Sequence, residues 1–170
     1  QMNNHLEQLS TTDPLTRLHN RRAVHERLHQ LLAADGTGFG VLFVDLDDFK
    51  KINDLYGHDV GDILLCQVAQ RLQACLDAGD MIARFGGDEF VLIVHARHEE
   101  GEGFRDRLVG LCAQILSMFA QPYAVSDLQL YSYGSIGVAC APEDGRTVEA
   151  LTKRADIALY RAKKLGRNRH

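Results

Sequence analysis

Apolar residues recur along this chain in two rhythms, one helical and one extended. Over residues 21–34 the stripe Ala23, Val24, Leu28, Leu31 and Leu32 repeats at helical spacing and predicts a first amphipathic helix. The unbroken run Val41-Leu42-Phe43-Val44 predicts a strand over 40–46 that is buried on both faces and central in its sheet. A short helix near 48–55 follows, then a longer one over 59–77, where Val60, Leu64, Val68, Leu72 and Leu76 recur every four residues. Segments 81–85 and 89–94 read as the strands of a hairpin, with Gly86-Gly87 supplying the positive φ angles of a two-residue turn. An acidic, Gly-containing loop over 98–103 leads to a helix near 104–120 and strands near 128–140. A last helix over 147–165 packs through Leu151, Ala155, Ala158 and Ala162. The order of elements implies an α/β architecture with no internal repeat.

Composition narrows the classes only a little. The 170 residues suggest one domain, and no apolar run approaches the roughly 20 residues of a membrane span. A net charge of −4 argues against nucleic acid as a partner, because polyanion binding calls for a basic domain. The cysteines Cys66, Cys75, Cys112 and Cys140 lack metal-ligand spacing and read as buried, reduced thiols of a cytoplasmic domain. The histidines are read as scattered rather than paired on a helix, which argues against zinc, with His95 and His98 at a polar strand exit.

Candidate chemistry lies at two acidic sites. Asp88 and Glu89 adjoin the hairpin turn, where a carboxylate is fixed yet reachable. Alone, an ordinary exposed hairpin would be the simpler account. The second site changes this: the apolar run 41–44 ends in Asp45, at the carboxyl end of a central strand, where ligands gather in α/β sheets. Asp45 and Asp88 together suit a hard divalent cation whose remaining positions are filled by triphosphate oxygens. Lys50 and Lys51 follow closely enough to neutralise phosphate charge. For Asp47 and Asp48, a solvated helix start is an equally good account.

Five segments in order now carry a resemblance. Asp13-Pro14-Leu15-Thr16-Arg17-Leu18-His19-Asn20-Arg21-Arg22, DLDDFKKINDLYGHDVGD over 45–62, GGDEF over 86–90, Ser135-Ile136-Gly137-Val138-Ala139, and Ala158-Leu159-Tyr160-Arg161-Ala162-Lys163-Lys164-Leu165-Gly166-Arg167-Asn168 together resemble the GGDEF family of diguanylate cyclases. The resemblance covers nearly the whole chain. It implies a nucleotidyl-cyclase-like fold, a central mixed β-sheet flanked by α-helices. It further implies condensation of two GTP into cyclic di-GMP with release of pyrophosphate, each of two facing domains holding one GTP in a homodimer.

By the same resemblance, Asp45, the Leu46 carbonyl and Asp88 would bind Mg2+, with Mn2+ as an alternative. Asp88 or Glu89 would help activate the attacking hydroxyl, and Lys50 would stabilise the transferring phosphate. Phe49, Gly86 and Gly87 would line the substrate, and Lys163 and Arg167, four residues apart near a helix end, would clamp the γ-phosphate. Asn53, His58 and Asp62 match the guanine positions. A carboxylate at Asp62 can accept guanine N1–H and the N2 amine, which adenine does not offer. Without the motif, Asp62 would read as a helix cap after Gly61.

One tetrad departs from the family pattern. Where an RxxD product-inhibition motif belongs, the chain has Asp77-Ala78-Gly79-Asp80, so Asp80 is kept and an acid replaces the arginine. Aspartate lacks the bidentate donors of arginine, so product inhibition should be weak or absent there. Residues 1–12 read as the end of a linker helix from an upstream sensor, and 13–170 as the GGDEF domain proper. The domain is expected in the cytoplasm, without direct membrane contact, either by itself or as the cytoplasmic part of a larger, membrane-anchored protein. A catalytically silent GTP-binding module of a signalling protein is the alternative function.

Overall fold

A computed structural model describes residues 10–34, 36, 38–98 and 100–170; the expected linker helix over 1–12 lies largely outside them. The elements are helix α1 (Arg21–Ala33), strand β1 (Phe39–Asp47), helices α2 (Phe49–Tyr56) and α3 (His58–Ala74), and strands β2 (Met81–Gly86) and β3 (Glu89–His95). They continue with helix α4 (Gly103–Phe119), strands β4 (Tyr123–Val125), β5 (Leu128–Leu130) and β6 (Tyr133–Ala141), and helix α5 (Val148–Lys164).

Four strands form the sheet in the order β2-β3-β1-β6, with a separate β4-β5 ribbon. Each neighbouring pair in the main sheet runs antiparallel. Among the described residues, parallel pairing is confined to an isolated bridge between His19 and Ala83, and the mixed character expected of the sheet rests on that bridge. β1 is central, as its apolar run demanded, and every residue from Phe39 to Asp47 is buried.

The sheet separates two cores because strand side chains alternate between faces. On one face Leu42, Val44 and Leu46 join Leu64, Val68 and Leu72 of α3 and Leu108 and Ile115 of α4. On the other, Val41 and Phe43 meet Val24 and Leu28 of α1 and Leu151, Ala155 and Leu159 of α5. α5 lies close against β6: a Cβ on Gly137 would stand 2.1 Å from the Ala155 carbonyl oxygen. Only glycine permits that approach, and it brings the C-terminal end of α5 over the end of β1.

Three expectations shift. α3 stops at Ala74, leaving Leu76 beyond it, because Gly79 (φ 93°) starts the return into β2. The strands expected near 128–140 separate into the short ribbon and β6. One helical histidine pair does exist: His25 and His29 stand a turn apart on α1 with ring centroids 6.3 Å apart. Among the described residues no third ligand joins them in a metal-binding group. The four cysteines are free; Cys112 and Cys140 are buried, Cys66 and Cys75 half-buried. No helix among the described residues is long and apolar enough to cross a membrane.

Candidate active site

The antiparallel register places Asp45 of β1 directly opposite Glu89 of β3. The hairpin that carries the neighbouring acid differs from the expected Gly-Gly turn by one residue. The register slips between Arg84 and Gly86, Gly86 pairs with Glu89, and the turn itself is Gly87-Asp88. Gly86 (φ 121°) and Gly87 (φ 52°) both adopt backbone that favours glycine. The slip makes Asp88 a turn residue, and its carbonyl accepts the Leu46 N–H at 3.2 Å. Asp88 is thereby fastened beside the end of β1.

Electrostatics at this junction are unfavourable without a cation. Asp45 is 9% exposed. One of its oxygens accepts Lys163 Nζ from α5, and the other, Oδ1, is buried with no partner. Burial, and then the charge of Asp45, push the Asp88 pKa up to about 6, with Lys163 opposing. Glu89 is exposed. Among the described residues no three His, Cys, Asp or Glu side chains converge. The donors that the resemblance implies, the Asp45 and Asp88 carboxylates and the Leu46 carbonyl, are all oxygens, which fits a hard cation whose shell the substrate would complete. The orphaned Asp45 oxygen is the observation that supports the fit.

The start of α2 adjoins these acids. Asp48 takes a left-handed conformation (φ 58°) and is exposed, which turns the chain sharply from β1 into the helix. The Lys51 N–H is already taken, donating to the Asp48 carbonyl at 3.0 Å, and the positive end of the helix dipole at the start of α2 favours an anion. Lys50 is exposed there, while the Phe49 side chain is buried in the core, leaving its backbone for any ligand contact.

Asn53 and Asp62, the guanine candidates, come from two helices joined at Gly57. Asn53 Oδ1 is buried without a partner, and a Cβ on Gly61 would lie 1.9 Å from it. Gly61 thus lets α3 close over the Asn53 amide. Asp62 and His58 are exposed on α3, and because α3 begins at His58, Asp62 is not its cap. Lys163 reaches the acids from α5, but the helix ends at Lys164, so Arg167 lies past it in a left-handed turn (φ 64°) rather than on the helix.

Residues not singled out in the sequence brace the site. Arg84 donates through Nε and Nη2 to the Gly87 carbonyl at 3.0 and 2.9 Å, and through Nη1 to Asp13 Oδ1 at 3.1 Å. Thr16 donates its N–H and its hydroxyl to Asp13 Oδ2 at 2.9 and 2.7 Å. Burial alone would raise the Asp13 pKa, but these donors and the Arg84 charge outweigh it and hold it below the usual carboxylate value. Asp47, half assigned to a solvated helix start, is instead 8% exposed and bound on both oxygens.

At the far end of the hairpin, the Asp77-Ala78-Gly79-Asp80 corner is tied up internally. Asp80 accepts the His95 N–H at 3.0 Å and the Asp77 N–H at 3.1 Å, and Asp77 pairs with Arg97 at 3.0 Å.

The chain is similar to known proteins over nearly its whole length. The family model described as diguanylate cyclase, GGDEF domain, matches residues 10–169. The bifunctional diguanylate cyclase/cyclic di-GMP phosphodiesterase MucR of Pseudomonas aeruginosa is 43% identical over 98% of this chain and 24% of its own length. The cyclic di-GMP phosphodiesterase PdeR of Escherichia coli is 36% identical over 94% of this chain and 23% of its own. The chain therefore spans about a quarter of these curated relatives. Among solved structures, the GGDEF domain of TpbB (YfiN) from Pseudomonas aeruginosa superposes with a TM-score of 0.86 at 33% identity, covering 93% of this chain and 91% of that one. The chain belongs to the GGDEF-domain family of diguanylate cyclases.

Proposed function

We propose that this domain condenses two GTP into cyclic di-GMP and two pyrophosphates, as a homodimer in which each protomer supplies one half-site. The observation that carries the proposal is the under-paired acid cluster: Asp45 keeps a buried oxygen without a partner beside an Asp88 whose pKa is raised to about 6. Asp45, Asp88 and the Leu46 carbonyl would hold Mg2+ or Mn2+, which supplies charge neutralisation at the transferring phosphate. Lys50 and the first amides of α2 meet phosphate oxygens, and the exposed backbone of Gly86 and Gly87 leaves room above the turn. Lys163 and Arg167 take the γ-phosphate. Asn53 and Asp62 select guanine, with His58 at the edge of that cleft. Glu89, exposed and opposite Asp45, is placed to orient or accept a proton from the attacking hydroxyl, a role it shares with Asp88. Residues 13–170 form the catalytic unit, which we place in the cytoplasm downstream of a sensor. Product inhibition through the 77–80 corner is weak, supported by the ion pairing of Asp77 with Arg97.

Turnover of GTP with Mg2+ by concentrated protein tests the reading. Two pyrophosphates per cyclic di-GMP, with a more than linear dependence on protein, are expected. Two relatives named as cyclic di-GMP phosphodiesterases match 94% and 96% of this chain, which favours a second reading, a silent GTP-binding regulatory module. GTP binding without either product would establish that one instead.

A further inference from the structure

Asp45 and Asp47 stand two apart in β1 and so project from the same face of the strand. Their surroundings differ. Asp45 keeps one oxygen open, whereas both oxygens of Asp47 are taken: the Ser135 hydroxyl donates to Oδ1 at 2.8 Å and the Asn168 backbone N–H donates to Oδ2 at 2.9 Å. The second bond reaches the segment that follows α5. There the chain passes through three successive residues at positive φ, Gly166 (119°), Arg167 (64°) and Asn168 (48°). For a residue with a Cβ this backbone costs about 1 kcal/mol or more and persists only where neighbours impose it.

The neighbours are visible. Arg167 N–H donates to the Ala162 carbonyl at 3.1 Å, and Ile136 N–H, on the edge strand β6, donates to the Arg169 carbonyl at 2.8 Å. The Asp47–Asn168 bond is the charged one of the set, and a charged acceptor makes the stronger hydrogen bond. An asparagine here could still accept the Asn168 N–H, with its amide NH2 turned to the Ser135 hydroxyl, but without the charge that strengthens the bond.

We propose that Asp47 is a positioning residue for the triphosphate. By holding the Asn168 amide it fixes the left-handed turn, and with it the places from which Arg167 and, one turn back on α5, Lys163 present their cations. This role rests on the cyclase reading above. Asp47 itself touches no substrate; it acts through the tail.

The test combines amide hydrogen exchange with nucleotide titration on the wild type, Asp47→Asn and Ser135→Ala. In Asp47→Asn the Asn168 and Ile136 amides should exchange about tenfold faster or more, since their local opening is no longer opposed by the carboxylate. In Ser135→Ala they should exchange faster by less, since the carboxylate stays but loses the hydroxyl that orients it. Affinity for α,β-methylene GTP should fall about tenfold while that for GMP stays within about twofold, because the guanine contacts lie on α2 and α3 and only the phosphate clamp is loosened. A chain ending at Arg167 leaves Asp47 intact and should reproduce the split, which keeps the test decisive if Asp47→Asn fails to fold. Equal weakening of both nucleotides, or unchanged discrimination between them in variants of a discriminating wild type, would overturn the positioning role alone. A wild type that binds the two nucleotides equally would overturn the cyclase reading together with it.

Discussion

The two ends of the β2-β3 hairpin carry acids in opposite states. At the turn end, Asp88 and Glu89 adjoin Asp45, whose one oxygen accepts Lys163 Nζ and whose other has no partner among the described residues. At the other end, Asp77 and Asp80 are met by Arg97 and by the backbone of His95 and Asp77, and Glu100 accepts Arg107 Nε at 2.6 Å. The residue types are the same and the distance between the ends is one hairpin. Acids that the fold satisfies serve the fold. Acids that it leaves short of positive charge carry an electrostatic cost that burial raises and that a bound cation would relieve. The contrast also accounts for the Asp77–Asp80 corner, whose two acids are engaged in structural pairing.

Breaking the open end should have the largest effect. Asp88→Ala should lower turnover by about a thousandfold or more, as expected when a charge-neutralising group is lost in phosphoryl transfer, with an unchanged circular dichroism spectrum. Steady-state GTP turnover checks it; retained activity would sink the metal assignment. Next comes the brace between the N-terminal segment and the turn. Arg84→Ala removes the charged partner of a largely buried Asp13 and frees the Gly87 carbonyl, so chemical denaturation should show a loss of about 2–3 kcal/mol and turnover should fall with it.

A third variant reads the sign of the strain directly. The folded Asp88 pKa of about 6 lies above its unfolded value, so ionised Asp88 destabilises the metal-free fold. The penalty is absent below the unfolded pKa, grows as pH rises toward the folded pKa and is complete above it. Asp88→Asn should therefore be about 1 kcal/mol more stable than wild type at pH 8 without metal and equal to it at pH 3.5. Parallel denaturation curves at the two pH values decide it. The smallest change is expected at the satisfied end, where Arg97→Ala removes an exposed ion pair. It should cost below about 1 kcal/mol and leave turnover unchanged.

Much of this contrast was legible in the sequence, and the illegible part has a physical reason. The apolar run 41–44 announced a central strand ending in acid, and the motifs pointed to Asp45, Asp88, Asn53 and Lys163, which the fold brings to one end of the sheet or to the α2-α3 cleft. The one-residue slip at Gly86 was not legible, because it depends on pairing register rather than on local turn chemistry. Nor was Asp47: a carboxylate before a helix usually stays solvated, and only α5 returning over β1 and β6 buries it against Ser135 and Asn168. The brace from Asp13 to Arg84 spans 71 residues, a separation that no periodicity reports. The four-residue spacing of Lys163 and Arg167 puts both on one face only where the helix runs on, and the left-handed turn past Lys164 ends it first.

The most direct measurement is Mn2+ binding, followed by electron paramagnetic resonance with α,β-methylene GTP present, in the wild type and in Asp45→Asn. The account predicts a tight site in the wild type that weakens about a hundredfold in the variant, the order expected when a carboxylate ligand is lost, while the nucleotide still binds at the guanine cleft. Equal Mn2+ affinity in the two proteins would contradict it, because the acids left open at this end of the hairpin would then not be holding the cation.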